Sequence, residues 1–126
     1  MTVEEFIQKH ELDKPPKIPV TTEDLFLAKI AHDKLFDKWK DTIGENWYGF
    51  ALWNNLPLNW YLAIDDLLEY IKTVSKKFEI HQIKIKYGGL RFYVYYDVKD
   101  DFVLMGNIDK LIETIEKYCQ NKEFVY

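Results

Sequence analysis

Gln82-Ile83-Lys84-Ile85-Lys86-Tyr87-Gly88-Gly89-Leu90-Arg91-Phe92-Tyr93 is the stretch that decides the fold of this chain. Two β-rich runs, residues 79–87 and 90–98, are separated by Gly88-Gly89, and glycine tolerates the positive φ needed at both central positions of a two-residue hairpin turn. With both glycines central, Tyr87 faces Leu90, Lys86 faces Arg91, Ile85 faces Phe92, Lys84 faces Tyr93, Ile83 faces Val94 and Gln82 faces Tyr95. Side chains alternate between the faces of a strand, so these pairs sort into two sets. Tyr87, Leu90, Ile85, Phe92, Ile83 and Val94 make an apolar face that must pack under helices, and His81 falls with it. Gln82, Lys84, Lys86, Arg91, Tyr93 and Tyr95 make the other face, which combines three cations with two phenols.

The helices come from the flanking sequence. Trp60, Ile64, Leu67, Leu68, Ile71, Val74 and Phe78 follow the 3.6-residue period of a helix from a cap at Asn59 to about Lys77. Upstream, Thr21 or Thr22 caps a second long helix running to about Thr42, with Leu25, Ala28, His32, Leu35, Phe36 and Trp39 as its core stripe. Downstream, Asn107 caps a last helix whose apolar face is Ile108, Leu111, Ile112, Ile115 and Tyr118. The predicted fold is therefore α+β, a small antiparallel sheet centred on the Gly-Gly hairpin at about 79–98 and packed against two long helices and a C-terminal helix. Residues 1–20 precede this domain of 21–126 as a short helix, opened by the capping box Thr2-Val3-Glu4-Glu5, and an arm with prolines at 15, 16 and 19.

The 126 residues fit one domain, with 48% hydrophobic and 30% charged residues close to globular norms. A formal net charge of −4 argues against non-specific nucleic-acid binding, which runs on counterion release by a basic surface. The single cysteine, Cys119, has no internal partner, and the first ten residues contain no signal-peptide core; both point to the cytoplasm. No run reaches the ~18 apolar residues of a membrane helix. Aromatics at 17% are more than a core this size hides, so some are expected to face a partner protein or a second copy of the chain.

Two candidate binding surfaces follow. Arg91 is the one arginine in a chain otherwise furnished with lysine, and it sits on the basic hairpin face; planar bidentate donation suits carboxylate or phosphate, while Tyr93 and Tyr95 can stack on a base or pack on a partner. Lysine and tyrosine are also ordinary residues of exposed strands, so the face can equally be a plain solvated one. The second surface is the aromatic segment Trp47, Tyr48, Phe50 and Trp53, which serves either a core or an interface; whether it is a strand or a loop stays open.

No catalytic residues, metal ligands or cofactors are assigned. Asp65, Asp66 and Glu69 share the polar side of a helix and read as solvated acids. Asp97, Asp100 and Asp101 lack the ligand spacing of a calcium loop, and His10, His32 and His81 lack zinc spacing. His32 and Cys119 read as core residues.

The hairpin string, preceded by the helix at Trp60, resembles a family of small uncharacterised bacterial and phage proteins whose recurrent core is Gln-Val-Lys-Glu-Lys-Phe-Gly-Gly-Leu-Arg-Phe-Tyr. The likeness covers about residues 57 to 96, with Ile85 in place of the usual acid. Some relatives carry cysteine pairs like a metal knuckle, which Cys119 alone cannot supply. The resemblance implies a setting in bacterial or phage conflict, where small acidic domains act as inhibitors, immunity factors or anti-defence proteins. The expected function is thus a non-catalytic protein-binding or inhibitory module. A small anionic-ligand or nucleotide binder using the hairpin face, and an enzyme with an unfamiliar site, are the alternatives.

Overall fold

The computed structural model describes residues 1–44 and 49–121. The elements run α1 (Val3–His10), α2 (Thr22–Trp39) with a 3₁₀ turn at Lys40–Thr42, β1 (Phe50–Ala51), α3 (Leu58–Val74), β2 (Lys77–Lys86), β3 (Gly89–Asp97) and α4 (Phe102–Tyr118). The α+β class holds. The sheet, expected to be antiparallel throughout, is mixed: its order is β1-β2-β3, and β1 runs parallel to β2 with Phe50 opposite Ile83 and Ala51 opposite Lys84. The part of the aromatic segment that is described therefore includes a short strand. It is positioned by a parallel bridge between Ile43 and Ile80, where the Gly44 amide donates to the Ile80 carbonyl at 3.0 Å.

The hairpin register is displaced by one pair from the expected one. Lys86 faces Gly89, Ile85 faces Leu90, Lys84 faces Arg91, Ile83 faces Phe92 and Gln82 faces Tyr93. The turn is centred on Tyr87 and Gly88, at φ 53° and 76°, rather than on the two glycines. Gly89 instead gives room: a Cβ there would lie 3.3 Å from Arg91 Nη1 and 3.4 Å from Gln120 Cγ, because the chain end returns to pair with the hairpin tip. Leu90 donates to the Cys119 carbonyl and Asn121 to that of Gly88, both at 2.9 Å.

A one-pair displacement leaves the alternation of each strand unchanged, so Ile83, Ile85, Leu90 and Phe92 are all buried as expected. Tyr87 is the exception; as a turn residue it leaves the apolar set and is exposed, with the Lys86 ammonium 5.5 Å from its ring centroid. A β-bulge between Ile80 and Gln82 changes the far end, where Ile80 faces Val94 and Glu79 faces Tyr95. The extra residue lets Ile80 and Ile83, three positions apart, both point into the core, and it turns His81 out of the apolar set to the exposed side.

The core lies between the inner sheet face and the helices. Ile64, Leu67, Leu68 and Ile71 of α3 and Ile108, Leu111 and Ile115 of α4 are fully buried against it. The α3 period ends at Val74, and Phe78 belongs to β2, where its ring meets Trp39 edge-on at 5.9 Å. Two helix starts differ from expectation. Asp101 caps α4 by accepting from the Leu104 amide at 3.0 Å, and Pro57, which has no amide to leave unpaired, precedes α3. The two asparagines expected as caps anchor the N-terminal segment instead: Asn59 donates to the His10 carbonyl and Asn107 to that of Met1, each at 2.9 Å. With Phe6 fully buried, α1 is packed onto α3 and α4.

Candidate functional site

The outer face of the sheet assembles the basic–aromatic residues. Lys84 and Arg91 sit directly opposite each other, and Gln82 is opposite Tyr93. Lys86 is exposed at the hairpin tip, and Tyr93 and Tyr95 are 48% and 47% exposed. Tyr95 is stacked by the His81 imidazole at 6.3 Å and 21°. The six residues do share one surface.

The aromatic segment is divided. Trp47 and Tyr48 lie outside the described residues. Phe50 is half-buried as the seam between β1 and α2, with the His32 and Phe36 rings at 5.6 and 5.4 Å. Trp53 is half-buried too, and its carbonyl accepts from the Tyr61 hydroxyl. That hydroxyl also accepts from the Leu56 amide at 3.2 Å, and burial pushes its pKa up to about 12.

A third surface lies on the helical side. Only Ala28, Leu35 and Trp39 of the expected α2 stripe are fully buried; His32 is half-buried, and Leu25 and Phe36 are exposed. Around the rest of α2, Phe26 is 62% and Leu27 45% exposed, and across from them on α3 Leu58 is 44% and Leu62 55% exposed. Leu27, Leu58 and Leu62 line two adjoining cavities, of about 370 and 350 Å³, that together form one apolar groove between α2 and α3. The proline arm closes one end, with Pro15 and Pro19 as wall, and Lys34, Lys38 and Asp65 border the other. The sequence does hold the signal: Leu25-Phe26-Leu27-Ala28 followed by Ile30-Ala31 makes the start of α2 apolar all round, which suits a helix covered on more than one side.

The acids of α3 are fasteners rather than solvated charges. Asp65 accepts from Trp39 Nε1 at 2.8 Å and pairs with Lys38 at 2.9 Å, while Glu69 meets the same ammonium at 3.3 Å. Asp66 pairs with His10 at 2.7 Å and Lys9 at 3.1 Å. Burial opposes ionisation of Asp66, but the hydrogen bonds from His10 and Lys9 outweigh it and hold the carboxyl below its ordinary value of 3.8. Its folded pKa is thus depressed, so its contribution is complete above 3.8 and is lost as pH falls through the lower folded value. Asp66→Asn should lower stability by about 1–3 kcal/mol at neutral pH. Chemical denaturation of both proteins across acid pH should show this difference shrinking, with faster amide exchange in α1 of the variant.

His32 is a half-buried histidine whose Nε2 is 3.1 Å from the Leu52 carbonyl and whose Nδ1 is 2.9 Å from Asp33. Cys119 is buried, and burial raises its thiol pKa, which keeps it protonated. Asp97 accepts from the Lys99 amide at 2.8 Å in the turn before α4. Among the described residues no group of three or more His, Cys, Asp or Glu side chains is placed to hold a metal ion, and no helix is long and apolar enough to cross a membrane. Comparison with known proteins returns no matching family model, curated protein or solved structure.

Proposed function

We propose that this chain is a non-catalytic protein-binding module that takes an amphipathic helix of its partner into the α2–α3 groove. The observation that carries this reading is the exposure of Leu27, Leu58 and Leu62 on two adjacent helices along one continuous apolar groove. Large contiguous apolar surface costs a protein free energy unless something covers it, and a groove between two helices suits a third helix. Its length agrees: Asp24 to Lys38, the span of α2 along it, corresponds to about 21 Å at 1.5 Å per residue, or about four helical turns. Lys17 and Lys34 on the rim have no ion pair among the described residues, so acids flanking the apolar stripe of the incoming helix would find partners. Recognition of this kind needs no reacting group. With the hairpin's resemblance to bacterial and phage proteins, it supports an inhibitory, immunity or anti-defence role.

Leu62→Glu places a charge in the lining of the groove. It should abolish partner capture, a loss of at least about 2 kcal/mol as at interface hot spots, while leaving the melting temperature within a few degrees because Leu62 is largely exposed already. Affinity purification with Leu62→Glu beside the unaltered chain checks this; equal recovery of the same partner by both would overturn the reading.

A further inference from the structure

The outer sheet face gathers three cations, Lys84, Lys86 and Arg91, in one short hairpin. Among the described residues they have no ion pair, as is also true of Lys17 and Lys34, whereas Lys9, Lys14, Lys29, Lys38 and Lys40 pair with acids. Lys84 and Arg91 moreover face each other across the ladder. Like charges opposed in this way destabilise a sheet, and this chain has more acids than bases from which a screening partner could have been drawn. The arrangement becomes favourable when an anion lies over the pair. Arg91 is prepared for one: its closest hydrogen-bond contact is the Leu90 carbonyl, at a long 3.5 Å, so its donors are largely unspent, and Gly89 leaves space beside Nη1 that a Cβ would crowd at 3.3 Å.

The aromatic half of the face narrows the class of anion. Arg91, Tyr93 and Tyr95 alternate along the outer side of β3, which spaces the two half-exposed rings about 6.8 Å apart. His81, stacked on Tyr95 and 3.4 Å from the Glu79 carboxylate opposite that tyrosine, lengthens the row, and Gln82 opposite Tyr93 adds an amide able to meet a base edge. The cations cluster toward the hairpin tip and the rings toward the bulge. A free phosphate uses the first half alone and an acidic peptide has little use for the second; a duplex hides its base faces. The geometry points to a short single-stranded nucleic acid as the ligand of this face, with phosphates on Lys84, Lys86 and Arg91 and bases stacked on Tyr93 and Tyr95. The distance from Arg91 to Tyr95 along β3, about 14 Å, accommodates two or three nucleotides. Such a site needs only a local basic patch, so it is compatible with a net charge of −4, and it shares no residue with the α2–α3 groove.

The test is fluorescence anisotropy of the full chain with labelled ten-nucleotide oligo-dT and oligo-rU, beside a duplex of equal length, at several salt concentrations. Single strands should bind in preference to the duplex. The slope of log K against log salt should be about −2, as expected for three phosphate contacts on a single strand. Arg91→Ala and Tyr93→Ala should each weaken binding about tenfold or more, while Lys110→Ala and Leu62→Glu should leave it unchanged; circular dichroism verifies that all four fold. Three results overturn the inference: no binding of either single strand at low salt, unaltered affinity in Tyr93→Ala with full competition by polyphosphate, which marks a bare anion site, or full competition by polyglutamate, which marks a surface for an acidic protein.

Discussion

Trp39→Ala should lower the stability of the fold by about 3–5 kcal/mol, the range expected when a buried tryptophan is removed without collapse of the site. Trp39 is 1% exposed and touches three elements at once. Its indole N–H donates to Asp65 of α3 at 2.8 Å, its ring meets Phe78 of β2, and the Lys38 and Lys72 ammonium groups lie 5.4 and 5.5 Å from it. Truncation therefore opens a cavity where α2, α3 and β2 converge and strips a hydrogen bond from Asp65. Trp39→Phe separates the two contributions: it keeps most of the ring contact and should cost about 1–3 kcal/mol through the lost donor and incomplete filling. Urea denaturation of the three proteins measures both. Phe26→Ala, on the same helix but exposed, should shift stability by no more than about 0.5 kcal/mol, which separates the packed side of α2 from its exposed side.

The second large effect is on the hairpin. Phe92→Ala should cost about 3–5 kcal/mol, because the ring is 2% exposed on the inner face of the sheet. Arg91→Ala, one residue away but on the outer face, should leave stability nearly unchanged and even relieve the repulsion with Lys84. A pair of adjacent substitutions with opposite consequences tests the strand alternation directly. Comparable losses in both variants would mean that the guanidinium supports the fold, and the case for the outer face as a binding surface would fail with it.

The same hairpin shows what a sequence can and cannot disclose. Which residues point inward was legible, because alternation survives a displacement of the turn by a whole pair; Ile83, Ile85, Leu90 and Phe92 are inside in either register. Which residue occupies each turn position was not, since Tyr87 takes a positive φ that glycine would ordinarily be chosen for, and Gly89 answers to a contact with Gln120 thirty-one residues away along the chain. Non-local demand explains the other departures as well. His81 turns outward because the core wants both Ile80 and Ile83. Asn59 and Asn107 look like helix caps, but the carbonyls of His10 and Met1 claim them, and Asp65 and Asp66 look like solvated acids until Trp39 and His10 are seen beside them. The six residues of the basic face were found because they are adjacent in a regular element. The groove was missed because a single-stripe reading assigns Leu25 and Phe36 to the core, and it leaves Phe26, Leu27 and Ile30 without a role.

Site-specific photo-crosslinking in cells would capture the partner helix proposed to lie in the α2–α3 groove. A benzophenone amino acid would replace Leu62 in the groove and, as a control, Val103 at the start of α4, which is equally apolar and still more exposed but lies outside the groove. One dominant adduct is expected from position 62, mapping to an amphipathic helical segment of a single protein, and none from position 103. Absence of an adduct at 62, or the same adducts from both positions, would contradict that placement.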